Sequence, residues 1–153
     1  MYKDSGQKTA NKWSSMTTIS IVEDDCAFAE LLVRYIRANK ELELLSTSRN
    51  GVEALADISR HKPDVVLMDI DLPRMNGIDC VRELKKLMPP LRTQVLMLTD
   101  YEDGDLIFEA ISAGALGYLL KDHTRRNEKL YAAIKRCHGG RSSDECWHCA
   151  QID

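Results

Sequence analysis

The chain predicts an α/β protein, a (βα)5 three-layer sandwich in which five strand–helix units build one parallel sheet. Three observations carry this expectation. From Thr18 onward, short apolar runs alternate with amphipathic stretches. Two of the runs, DVVLMD (64–69) and TQVLMLT (93–99), are almost continuously apolar, as strands covered on both faces are. Four of the five runs end in a polar residue, and a parallel sheet brings all such ends to one edge.

The elements follow in order. The first strand covers 18–23, and the helix after it carries Phe28, Leu31, Leu32, Tyr35 and Ile36 at helical spacing. The second strand (42–47) is short and half polar, which suits a sheet edge. A helix over 50–61 follows, with Val52, Leu55 and Ala56 expected to face inward. The third strand is 64–69; the third helix spans 77–88 and stops at Pro89-Pro90. The fourth strand is 93–99, and the helix over 103–113 shows Leu106, Ile107, Ala110 and Ile111 before Gly114. The fifth strand covers 116–120. The last helix covers 124–138, with Leu130, Ile134 and Cys137 on one face and Gly139-Gly140 behind it.

The converging strand ends hold the chemistry. Glu23 and Asp24 close the first strand, Asp69 the third, Thr99 the fourth and Lys121 the fifth. Acids packed together repel one another unless a cation sits among them, so the edge asks for a hard divalent metal. Asp69 ends the most apolar strand, where a carboxylate is costly unless paired, hydrogen-bonded or metal-bound, and a carboxylate can also act as a nucleophile. Thr99 offers a hydroxyl to an oxyanion, and Lys121 a charge that can pair with a carboxylate or a phosphoryl oxygen. Each has a plainer reading: Glu23, Asp24 and Asp25 as helix-start charges, Asp69 as a cap, Thr99 as a strand former, Lys121 as a solvated end. Asp25 fits the capping role best.

Bulk properties narrow the class. At 153 residues there is room for one core. A net charge of -3 leaves no basic stripe for nucleic acid, and no apolar run approaches a membrane span, so the expected compartment is the cytoplasm. Five cysteines, with Cys26, Cys80 and Cys137 inside helical patterns, fit a reduced protein in which they act as small hydrophobes. Residues 1–16 read as a disordered arm or leader with Met16 a candidate start, 17–140 as the folded domain, and 141–153 as a flexible tail. Cys146, His148 and Cys149 in that tail form a C-x-H-C cluster that is weak evidence for zinc.

At IVEDD, VVLMDIDLPRMNG, VLMLT and GALGYLLK the chain resembles the receiver domain of two-component response regulators, over about 18–140. The wording around GALGYLLKD and LTDYEDGDLIFEAI is most similar to receivers of helix-turn-helix transcription regulators of the NarL/LuxR type. The resemblance implies a flavodoxin-like fold with strand order 2-1-3-4-5. It implies that Asp69 accepts a phosphoryl group from a sensor histidine kinase or a phosphotransfer protein. Mg²⁺ would be held by Glu23 through water, Asp24, Asp69 and the backbone carbonyl of Asp71. Thr99 and Lys121 would bind the phosphoryl oxygens, Tyr118 would be the aromatic switch, and phosphorylation would promote a homodimer. The segment has no DNA-reading helix pair after Gly140, so direct nucleic-acid binding and membrane binding are not expected of it.

Two positions depart from the family pattern. Asp122 follows Lys121 where many members have proline, and Asp100 follows Thr99 where a small or apolar residue is usual. Asp100 is expected to point outward, because a helix begins soon after it. One rival is a haloacid-dehalogenase-type phosphohydrolase using Asp69 as nucleophile and Asp71 as acid/base. Against it, the chain offers no cap domain and no acidic strand end after Lys121. Another rival is a flavin-binding module, which the acidic 23–25 loop would disfavour by repelling the flavin phosphate.

Overall fold

The computed structural model describes residues 16–87, 93–100, 102–125 and 127–139. Among them are five strands: β1 (Thr17–Val22), β2 (Leu42–Ser48), β3 (Val65–Asp69), β4 (Gln94–Thr99) and β5 (Gly117–Leu120). They alternate with helices α1 (Cys26–Ala38), α2 (Gly51–His61), α3 (Gly77–Leu87), α4 (Gly104–Ala113) and α5 (Asn127–Gly139). All strand pairs are parallel and the order is β2-β1-β3-β4-β5, as expected from the sequence.

Strand alternation sorts the core into two halves. On one face, Ile19 and Ile21 of β1, Val65 and Leu67 of β3, and Leu96 and Leu98 of β4 pack against Leu32 and Ile36 of α1 and Leu130, Ile134 and Cys137 of α5. On the other, Val66, Met68, Val95 and Met97 meet Ala54 and Ile58 of α2, Val81 and Leu84 of α3, and Ala110 of α4. Handedness explains the division. Right-handed crossovers that step in opposite directions along a sheet put their helices on opposite faces. The chain reverses direction after β2, so the β1 and β3 ends diverge at the crevice where such sheets bind ligands.

Caps begin the helices where the sequence suggests. Asp25 accepts from the amides of Ala27 and Phe28, Asn50 from Glu53, and Asp103 from Asp105 and Leu106. The C-cap of α4 is Gly114 at φ 125°, a conformation that favours glycine. Lys62 ends α2 in the left-handed region, at φ 49° and ψ 58°. Replacing it by glycine is expected to stabilise the fold by about 0.5 kcal/mol, the strain removed exceeding the entropy glycine adds to the unfolded chain. A higher urea midpoint at unchanged m-value would show it; an unchanged or lower midpoint would refute it.

Three expectations fail. In α2, Val52 is 39% exposed and Ala56 is exposed; the inward stripe is Gly51, Ala54 and Ile58, with Leu55 half-buried. The face starts with glycine because a Cβ on Gly51 would lie 2.1 Å from the Met75 carbonyl oxygen. The last helix does not begin at Thr124. A 3-10 turn, Lys121–Arg125, precedes α5, and the buried Thr124 hydroxyl donates to the Lys121 carbonyl at 2.6 Å. Cys80 and Cys137 are buried as small hydrophobes, but Cys26 opens α1 exposed, with Arg49 Nη2 3.0 Å from its Sγ. The arm, Pro89-Pro90, Tyr101, Gly140 and the Cys146–His148–Cys149 cluster lie outside the described residues.

Candidate functional site

The site forms at the carboxyl edge around β1 and β3. The amide of Glu23 donates to the Ser48 carbonyl at 3.0 Å, extending the β1–β2 pairing by one residue. Sheet alternation then turns the Glu23 side chain inward, where it is only 1% exposed. Its Oε2 accepts from the Asp25 amide at 3.1 Å. Its Oε1 is buried and receives no well-directed hydrogen bond, although Lys121 Nζ lies 2.9 Å away as an ion pair. Asp24 is exposed beside it.

Every residue of β3 is buried, so Asp69 enters a dry edge. Its Oδ2 lies 3.2 Å from Lys121 Nζ, and its Oδ1 is reached by the Asp71 amide only at a weak 3.4 Å. Burial, and next the charge of Glu23, push the Asp69 carboxyl up to about 7; Lys121 opposes the shift without cancelling it. For Lys121 burial works downward, but Glu23 and Asp69 outweigh it and hold the ammonium above its ordinary value. Among the described residues the balance is lopsided: one cation faces two buried carboxylates, with a third acid at the rim.

The loop that follows Asp69 is tightly held. The Gly77 amide donates to the Ile70 carbonyl at 2.8 Å, and the Met75 amide to the Pro73 carbonyl at 2.7 Å. Arg74 sits at φ 70°, a strained position for a side chain. A Cβ on Gly77 would stand 2.2 Å from the Asp69 carbonyl oxygen, so glycine is what lets α3 start directly against the β3 end.

Of the remaining expected site residues, Thr99 and Asp71 lie at the same edge and Tyr118 lies two positions short of the β5 end. Asp69 is paired in register with Leu98, which puts the buried Thr99 one position further along β4. Tyr118 lies opposite Met97 and packs half-buried against the α2–α4 side of the core. Asp71 is exposed in the loop. Asp100 is exposed, as expected, and with Asp25, Asp122 and Lys121 it lines a cleft of about 320 Å³. Asp25 is the α1 cap, its expected role. Nothing in the sequence marked Phe28 as more than a core residue, yet its ring centroid lies 4.9 Å from Lys121 Nζ.

The donor set suits a hard divalent ion. Glu23, Asp24 and Asp69 each offer a carboxylate oxygen, all within 4.8 Å of one another. Mg²⁺ takes carboxylate oxygens, and these three would hold it by drawing closer together around the ion. The buried Oε1 of Glu23, lacking a well-directed donor, is the atom such an ion or its water would satisfy.

Known proteins point the same way. Residues 19–135 match the family described as the response regulator receiver domain. The chain is 37% identical over 125 residues to the transcriptional regulatory protein LnrK of Bacillus subtilis, covering 82% of this chain and 55% of that protein. It is 35% identical over 127 residues to the DNA-binding transcriptional activator DevR/DosR of Mycobacterium tuberculosis, covering 83% and 57%. The chain thus spans little more than half the length of these relatives. Among solved structures, the signal receiver domain of NarL from Mycobacterium tuberculosis superposes with a TM-score of 0.77 at 28% identity, covering 83% of this chain and 99% of that one.

Proposed function

Since the chain belongs to the response regulator receiver domain family, we propose that it relays a signal by accepting a phosphoryl group on Asp69. Receivers are signalling domains of two-component systems, and the phosphohydrolase alternative finds no support among these relatives. One observation carries the proposal: Asp69 is buried with Glu23 around the Lys121 ammonium, beside Asp24, at the crevice of the sheet.

The donor in this reading is a phosphohistidine on a sensor kinase or a phosphotransfer protein. A carboxylate oxygen of Asp69 attacks phosphorus in line, the phosphorus–nitrogen bond breaks, and the departing imidazole takes up a proton. Glu23, Asp24, Asp69 and the Asp71 carbonyl would hold Mg²⁺, which supplies charge neutralisation and orientation to the transfer. Lys121 then exchanges its contact with the carboxylate for one with a phosphoryl oxygen, and Thr99 donates its hydroxyl to another. The added charge of about two units biases Thr99 and Tyr118 at the β4–β5 edge, propagating the change to α4. Residues 17–140 form this unit in our reading. Transcription control is the output we infer from the relatives' names, with a phosphorylation-promoted homodimer as the intermediate.

The test is incubation with acetyl phosphate and Mg²⁺, followed by mapping of an acid-stable, hydroxylamine-labile label. Labelling is expected on Asp69, with loss under chelation. A label on another residue, or one that persists without metal, would overturn the proposal.

A further inference from the structure

Lys121 has a problem that its two carboxylate partners do not solve. Its four-carbon stem is flexible, and holding the ammonium in one place costs rotamer entropy. Glu23 and Asp69, at 2.9 and 3.2 Å, hold it in the structure. In the reading above both carboxylates change partners during transfer, so neither can keep the ammonium aimed throughout.

A third contact comes from a group that binds neither metal nor phosphoryl. Phe28 is the third residue of α1, and its amide donates to Asp25 Oδ1 at 3.3 Å, which ties the first turn to the acidic loop. The ring is half-buried against the α1–α5 side of the core and forms one wall of the cleft reaching Lys121. Its centroid stands 4.9 Å from Lys121 Nζ, within the range where an aromatic face attracts an ammonium. The Lys121 side chain is only 12% exposed, so water screens this attraction poorly.

We propose that Phe28 is a positioning residue for Lys121, its ring holding the ammonium over Asp69 while the carboxylates engage metal and phosphoryl. The inference rests on the phosphoacceptor reading. It separates Phe28 from Leu32 and Ile36 on the same helix face, which are wholly buried and pack only as core.

The test compares Phe28→Leu, which keeps apolar volume without the π face, with Phe28→Tyr, which keeps both. With acetyl phosphate at saturating Mg²⁺, Phe28→Leu is expected to label on the order of fivefold more slowly than wild type, and Phe28→Tyr within about twofold of it. In a Lys121→Met background, Phe28→Leu should cause no further loss, because the partner of the ring is gone. A second readout is independent of labelling. The ring current of Phe28 should shift the Lys121 Cε–H resonances upfield in wild type and Phe28→Tyr, and not in Phe28→Leu. Equal rates for the Leu and Tyr variants, the same loss without Lys121, or unshifted resonances would each overturn the proposal and leave Phe28 as a packing residue. Absence of Asp69-dependent label in wild type would instead overturn the phosphoacceptor reading, with the resonance shift still deciding the role of Phe28.

Discussion

Asp69→Asn is expected to have two opposite effects: labelling by acetyl phosphate falls to background, while the metal-free protein at pH 8 becomes more stable by about 2–4 kcal/mol. The first effect follows from removing the nucleophilic oxygen. The second follows from linkage. Asp69 titrates at an ordinary 3.8 in the unfolded chain and near 7 in the fold, chiefly through burial. The folded state therefore holds this proton more tightly, and stability falls as pH rises through that window, with the loss complete above about 7. Asparagine has no proton to lose and leaves Glu23 facing Lys121 one to one. The gap between variant and wild type should shrink toward pH 4. Saturating Mg²⁺ should close it from the other side, since an ion at a hundred times its Kd stabilises the wild type by about 2.7 kcal/mol and finds fewer ligands in the variant. Thermal melts at pH 5 and 8, with chelator and with Mg²⁺, check all of this. A gap that ignores pH would mean that Asp69 is not strained by burial.

Gly77→Ala is expected to be the most damaging single-methyl change near the site. The added carbon would meet the Asp69 carbonyl oxygen at 2.2 Å and Met97 Cε at 3.0 Å. Backbone cannot swing aside as a side chain can, so either α3 backs away or the β3 end moves. Overpacking of this kind costs about 1–3 kcal/mol. The functional cost should be larger, because a displacement of an ångström at Asp69 misaligns the attacking oxygen: labelling should slow by roughly ten- to a hundredfold. Denaturant melts and labelling rates measure the two separately. A variant that labels at the wild-type rate would show that the clash is absorbed away from Asp69. Gly104 is the control, since a Cβ there meets nothing within 4 Å.

Much of this was legible in the chain itself. The continuous apolar runs of β3 and β4 announced strands covered on both faces, and their last residues, Asp69 and Thr99, sit where the runs implied. Asp25, Asn50 and Asp103 announced helix starts that the structure shows as caps. Other features were not legible. Val52 is bulkier than Gly51 and Ala54, so hydrophobicity favoured the wrong face of α2; the true face starts with a glycine that the Met75 loop approaches closely. The 3-10 turn after β5 was not foreseen, and its last two residues, Thr124 and Arg125, were read as the start of the last helix because they do not interrupt a helical pattern.

The sequence by itself determined the order and type of the elements, the edge at which the polar strand ends meet, and the identity of the groups there. These depend on periodicity, end signals and the parity of strands, all of which are local. Only the tertiary structure decided how those groups share charge. It set the Lys121 ammonium between Glu23 and Asp69, sent the Asp69 carboxyl up to about 7, and brought the Phe28 ring centroid to 4.9 Å from Lys121 Nζ. Burial and Coulomb energy depend on distance in space, and 93 positions separate Phe28 from Lys121 along the chain (121 − 28).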